Sequence, residues 1–332
     1  MEFMLKEGSL SLIALMSRTC TIYRRAHFAA SHRYWLPELS EAENLARFGS
    51  HARFPGHGHN YGLEVGLTGE VDEYGMVLNL SQVKQVIRER VIQELNFAYL
   101  NQVWPEFAQT LPTTEFIAYT IWQRLADALP LSSVRLYEDP QLWAEYRGEA
   151  MQAYLTVATH FSAAHRLALD HLSLEENTAI YGLCARPHGH GHNYGLEITV
   201  KGSIDPRTGM IVDLAALQRV IEEQVVKPLD HTFLNKDVPY FAQVVPTAEN
   251  IALYVQRLLT LPLRELGVQL HRVRLQESPN NSSEVYGEFP LEELGAATAA
   301  TTYPASEGKR DPSEVEPLAA GRAEPAAYAG SG

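Results

Sequence analysis

A chain of 332 residues with 45% hydrophobic content has room for two domains of roughly 100 to 150 residues, each with its own apolar core. The formal net charge of -13 excludes a general nucleic-acid binder, which needs a clustered basic surface, and means that an anionic substrate must meet a local positive site. Two cysteines, Cys20 and Cys184, are too few for a disulfide framework and fit a reducing, cytoplasmic setting.

Residues 1–17 read as a disordered extension. The apolar run from Leu10 to Met16 is too short to cross a bilayer, no small-residue cleavage pattern comes after it, and Met16 is a candidate start, so no membrane partner is expected. From residue 18 onward the chain is organised by an internal repeat. His32 in Phe28-Ala-Ala-Ser-His-Arg33 matches His165 in Phe161-Ser-Ala-Ala-His-Arg166 at an offset of 133, and His57 to Glu64 matches His190 to Glu197 at the same offset. Asn101 with Asn235, and Pro112-Thr-Thr-Glu115 with Pro246-Thr-Ala-Glu249, match at 134; Val134 to Glu138 meets Val273 to Glu277 at 139. The slips fall between elements, as they should if 18–148 and 149–292 are two folded units with a tight join.

In the first unit Thr19 to Ala30 and His59 to Glu70 read as strands, succeeded by a turn at Asp72 to Gly75 and a short third strand, Met76 to Asn79. A helix from Ser81 to Leu95 carries Val83, Val86, Ile87, Val91 and Leu95 at helical spacing, with Asn79 and Gln82 resembling a capping box. Its counterpart after Asp213 carries Leu214, Leu217, Val220, Ile221 and Val225; both stripes are core. Second helices begin at the caps Thr113 and Thr247, with Glu115 and Glu249 in the first turn, and each unit closes on a strand. This predicts an α+β class, each unit an antiparallel four-stranded sheet with two helices on one face. Its exposed edges call for cover, hence a homo-oligomer. Residues 293–332, rich in Ala, Pro, Gly, Ser and Glu, read as a disordered tail.

The chemistry concentrates in Cys184-Ala-Arg-Pro-His-Gly-His-Gly-His-Asn-Tyr194. If a strand begins here, His190 and His192 project from one face, and His165 at the end of another strand supplies a third imidazole. Three neutral imidazoles and an open position make a catalytic zinc site; a polar glycine-histidine loop is the plainer account, against which the repeat weighs. The first half keeps His32, His57, His59 and Glu138, but His51 stands where Cys184 would be and Asn96-Phe97 replaces Asp230-His231.

With Cys184, His190-Gly-His192-Asn-Tyr194, Leu229-Asp-His231, Pro246-Thr-Ala-Glu-Asn250 and Arg274-Leu-Gln-Glu277 in view, each half resembles the 6-pyruvoyltetrahydropterin synthase family, over about residues 18–290. The resemblance implies the T-fold, in which sheets of several units join into a barrel with active sites at interfaces, and a small-molecule substrate, 7,8-dihydroneopterin triphosphate. It also implies Zn2+ held by His165, His190 and His192, with His32, His57 and His59 as a matching, non-catalytic set. By position Cys184 would be the base, with Asp230 and His231 completing a proton-moving triad. Glu277 would anchor the pterin, near Thr247 and Glu249, although capping accounts for both equally well. For the triphosphate only Arg166 and Arg186 can be nominated. Two activities occur in the family: triphosphate elimination to 6-pyruvoyltetrahydropterin, and the 6-carboxytetrahydropterin synthase of queuosine biosynthesis, which also releases acetaldehyde. Five residues between Cys184 and His190 favour the pyruvoyl type, while His188-Gly-His190, starting three residues after Cys184, leaves the carboxy type open. The first half reads as a degenerate copy that builds the oligomer. A non-catalytic zinc- or pterin-binding protein is the alternative of a different class.

Overall fold

The computed structural model describes residues 18–290; the expected extension at 1–17 and tail at 293–332 lie outside the described residues. Four long strands come from each half: β1 (Thr19–His32), β2 (His57–Glu70), β4 (Leu131–Asp139) and β5 (Leu142–Tyr146), then β6 (Gln152–His165), β7 (His190–Ser203), β9 (Gln269–Ser278) and β10 (Asn281–Tyr286). Two short strands, β3 (Ala98–Tyr99) and β8 (Thr232–Phe233), pair in parallel with the ends of β1 and β6. The units merge into one sheet ordered β10-β9-β7-β6-β5-β4-β2-β1-β3, with β8 against β6. No helix of the described residues is long and apolar enough to cross a membrane.

The predicted third strand is absent: Met76 to Asn79 turns instead. The Asp72 carboxylate accepts the N–H groups of Tyr74 and Met76 at 2.9 Å each, and Asn79 accepts the N–H of Ser81 at 2.9 Å to start the helix Leu80–Ile87. The cap is therefore Asn79 alone, without the reciprocal Gln82 bond of a capping box. The missing strand is recovered at the other end of each unit. There the closing segment, expected as one strand, folds as the hairpins β4–β5 and β9–β10, the first turned by Asp139 accepting the N–H of Gln141 at 2.6 Å.

The predicted helical stripes are core. Val83, Ile87, Val91 and Leu95, and Leu217, Ile221 and Val225, are buried against the sheet, each helix passing through one π turn (Arg88–Ile92; Glu222–Val226). Thr113 and Thr247 cap the helices Thr114–Leu125 and Ala248–Glu265, accepting the N–H of Phe116 and Asn250 at 3.3 Å. Each expected long loop contains a further helix, Glu41–Phe48 and Leu174–Tyr181, started by the capping boxes Ser40–Glu43 and Ser173–Glu176.

The seam between halves is β5 on β6, from Leu142 opposite Val157 to Tyr146 opposite Ala153. Across it the second half's turn, residues 205–213, lies on the first half. Thr110 and Thr113 donate to the carbonyls of Pro206 and Gly209 at 2.5 Å, and Ile211 N–H donates to Glu115 at 3.2 Å. Met210 packs on Tyr34, Leu36, Phe48, Ala52 and Leu111. Gly209 is required here, since its φ is +71° and a Cβ would lie 2.5 Å from the Leu111 carbonyl oxygen.

Candidate active site and metal centres

β6 and β7 pair without interruption, so that His165 ends opposite His190; strand alternation then brings His192 to the same face. Asn235 brackets the backbone of Arg166, accepting its N–H at 2.8 Å and donating to its carbonyl at 2.9 Å, which fixes the chain next to His165. His165 is fully buried, and its Nδ1 lies 2.7 Å from the Pro246 carbonyl. A carbonyl only accepts, so Nδ1 carries the proton and Nε2 presents a lone pair. That Nε2 is 3.1 Å from Nε2 of His190, while Nε2 of His192 is buried with no hydrogen-bond partner. The three ring nitrogens lie within 4.8 Å of one another. Burial holds His165 and His190 below the ordinary imidazole pKa, in the neutral form that a metal ligand needs. An orphaned buried nitrogen among neutral imidazoles fits a bound metal cation.

Around this centre stand the groups singled out in the sequence. Glu277 Oε1 is 3.8 Å from Nε2 of both His165 and His192, and the hydroxyl of buried Tyr194 is 3.3 Å from His165 Nδ1. Tyr194 is pushed far above its ordinary pKa by burial first, then by Glu277 and Cys184. Cys184 is a half-buried free thiol in the tight turn Gly182–Ala185, whose backbone is tied down by Leu167 N–H at the Cys184 carbonyl and by Arg166 Nε at the Ala185 carbonyl, both 2.9 Å. Arg166 thus spends a donor on the backbone. Arg186 and His188 are exposed, and His188 lies outside the three-histidine cluster.

Asp230 and His231 touch each other: His231 Nδ1 lies 2.7 Å from Asp230 Oδ2, and Asp230 Oδ1 accepts the N–H of Ser162 at 2.8 Å. The Ser162 bond, then His231, hold the carboxyl below its ordinary pKa. His231 has a left-handed φ of 56° that leaves its side chain 83% exposed. His231 borders a shallow cleft of about 420 Å3 shared with Gly191, His192 and Asn193, which neither Asp230 nor Cys184 lines, and no hydrogen bond among the described residues joins Cys184 to the pair. The structure therefore assembles two members of the predicted triad and leaves the third apart. Thr247 caps its helix and Glu249 is exposed.

The first half repeats the centre with a difference. His32 Nδ1 faces the Pro112 carbonyl at 2.9 Å, its Nε2 is 3.1 Å from that of His57, and His59 and Glu138 join them in a four-residue cluster. His51 stacks on Tyr34 at 5.0 Å, and Asn96 and Phe97 repeat the backbone of Asp230 and His231 without their chemistry.

Two histidine clusters at the ends of paired strands, one with Glu277 beside it and His231 across a shared cleft, define a duplicated α+β metalloenzyme. The chain belongs to the 6-pyruvoyl tetrahydropterin synthase family, whose model matches residues 21–149 and again 154–288. The chain is similar to the 6-pyruvoyl tetrahydrobiopterin synthases of Pongo abelii, 48% identical, and Homo sapiens, 47% identical; each match spans 42% of this chain and 96% of the relative. Among solved structures it is similar to the 6-pyruvoyl tetrahydropterin synthase of Caenorhabditis elegans, 35% identical over 41% of this chain and 96% of that one, with a TM-score of 0.38.

Proposed function

We propose that the chain is a zinc-dependent lyase converting 7,8-dihydroneopterin triphosphate to 6-pyruvoyltetrahydropterin with loss of triphosphate, and that the second half carries the reaction. The observation that carries this is the orphaned Nε2 of His192 in a centre that also keeps Glu277, Cys184 and an Asp230–His231 pair. His165, His190 and His192 would hold Zn2+, which when bound polarises the oxygens of the substrate side chain and so acidifies the adjacent carbon. The residues do the rest. Cys184 takes the proton as a thiolate; His231, oriented by Asp230, returns protons at the cleft; Glu277 accepts paired N–H groups of the pterin ring. Thr247 and Glu249 flank that pocket. With His188 exposed and outside the cluster, the five-residue spacing from Cys184 to His190 is the relevant one, which supports the pyruvoyl over the carboxy product. The test is incubation of purified protein with dihydroneopterin triphosphate and mass spectrometry of the products; release of acetaldehyde would transfer the chain to the carboxy type.

The working form is a homo-oligomer in the cytoplasm. Support comes from the repeat: the seam strands β5 and β6 correspond to β10 and β1, which among the described residues lie open at the two edges of the sheet, β3 covering only Ala30 and Ser31 of β1. Thr156, covered in the seam, is 3% exposed, while its counterpart Tyr23 is 58% exposed. Likewise Met210 is seated across the seam, whereas its counterpart Met76 and neighbouring Tyr74 are 40% and 76% exposed, and Glu249 is open where Glu115 is covered. A second copy, adding β10 to β1 in the register of the seam, covers all of these.

A further inference from the structure

The two histidine centres differ in how their glutamates are held. In the first half, Glu138 Oε1 is 3.3 Å from Nε2 of His59, a buried nitrogen with no hydrogen-bond partner, and His32 and His57 present their Nε2 atoms 3.1 Å apart. A tetrahedral cation with bonds of about 2.0 to 2.1 Å has ligand-to-ligand edges of about 3.3 to 3.4 Å, which the Glu138–His59 separation matches and the His32–His57 separation approaches. In the second half, Glu277 stands off at 3.8 Å from His165 and His192 and does not join their cluster.

The cause is one residue. Glu138 Oε2 accepts a hydrogen bond from Thr114 Oγ1, which turns the carboxylate toward the histidines; the matching position in the second half is Ala248, which has no hydroxyl. Glu138 is 2% exposed, and among the described residues its polar contacts are Thr114 and His59, with no Lys or Arg beside it. The Glu277 side chain keeps 18% exposure. The second half's turn, with Ile211 on Glu115 and Met210 on Tyr34 beside His51, also covers this region, whereas Glu249 in the second half is open.

We propose that Glu138, set by Thr114, is the fourth protein ligand of the first-half metal centre, so that each chain carries a four-ligand structural metal in the first half and a three-ligand metal with an open position in the second. The inference rests on both histidine clusters binding metal, and the test separates the two. Full-length protein loaded with zinc is counted for metal per chain and then challenged with a competing chelator. Two metals per chain, one leaving quickly and one slowly, are expected. His190→Ala should abolish the fast phase and His57→Ala the slow one. Glu138→Gln, which keeps shape but removes the charge, should speed the slow phase by about 10- to 100-fold, as loss of a ligand or its support does. Thr114→Ala should do the same to a smaller extent, and this variant preserves the test if Glu138→Gln fails to fold. One metal per chain in the parent, unaffected by His57→Ala, would refute first-half binding and the proposal with it. Two metals with an unchanged slow phase in Glu138→Gln and Thr114→Ala would leave binding standing and overturn the closure.

Discussion

Asn96 and Asp230 hold the same backbone contact in the two halves: Asn96 Oδ1 accepts the N–H of Ala29 at 3.0 Å, and Asp230 Oδ1 accepts that of Ser162 at 2.8 Å. An amide does this as well as a carboxylate, so the fold does not need the charge of Asp230. Asp230→Asn should change stability by no more than about 1 kcal/mol while lowering turnover by about 100-fold or more, because His231 loses its anionic partner. Thermal melting and steady-state rates on the same preparation measure the two; a collapse in melting temperature would make Asp230 a structural residue.

Cys184 is a half-buried free thiol outside the three-histidine cluster. Cys184→Ala should therefore abolish turnover with metal content near that of the parent. Loss of one metal per chain in this variant would make the thiol a ligand and remove it as the base. His192→Ala should reverse the order, losing the second-half metal first and activity as its consequence.

Burial raises Glu115 from its ordinary 4.5 to about 7, and this group accepts Ile211 N–H across the seam. Between those two values the folded chain keeps a proton that the unfolded chain has released, so stability falls as pH rises through this window and levels off above it. Below the window both states are protonated and the penalty is absent. Glu115→Gln should flatten the slope. Urea midpoints at about pH 5 and about pH 8 give the comparison, and an identical slope in both proteins would assign it to another group.

Transferring the seam register to the open edges places Val285 opposite Cys20, as Tyr146 is opposite Ala153. Cα atoms of directly opposed strand residues are about 4.5 to 5.5 Å apart, within disulfide range, and Cys20 is exposed. Val285→Cys should crosslink chains under mild oxidation, visible on a non-reducing gel and lost in Val285→Cys, Cys20→Ser. A chain that stays single in sedimentation and does not crosslink would refute the β10–β1 contact.

The histidine centres are legible in the sequence because His-x-His on a strand has one geometric meaning, and the duplicated Phe-x-x-x-His fixes which strand lies alongside. Thr113 and Thr247 are legible as caps for a similar reason: the cue and its structural partner lie three residues apart. Met76 to Asn79 misleads because its apolar residues mimic a strand, whereas Met210 in the matching turn is apolar in order to reach the other half. Such a target is invisible along the chain. The substitution of Ala248 for Thr114 is plain in the repeat, but its meaning depends on a glutamate 24 residues away in sequence. Tyr194, whose hydroxyl lies 3.3 Å from His165 Nδ1, carries no cue along the chain beyond its place beside the histidines.

The seam also sets an arithmetic. Every chain contributes units in pairs, so any ring closed through β10 and β1 contains an even number of them, and a catalytic half is always flanked by two halves that lack the thiol and the proton pair. Within such a ring, second-half centres would not be neighbours. Odd-numbered rings of units are ruled out, and any communication between one turnover and the next must cross a non-catalytic half, where the tightly held metal would make the path stiff.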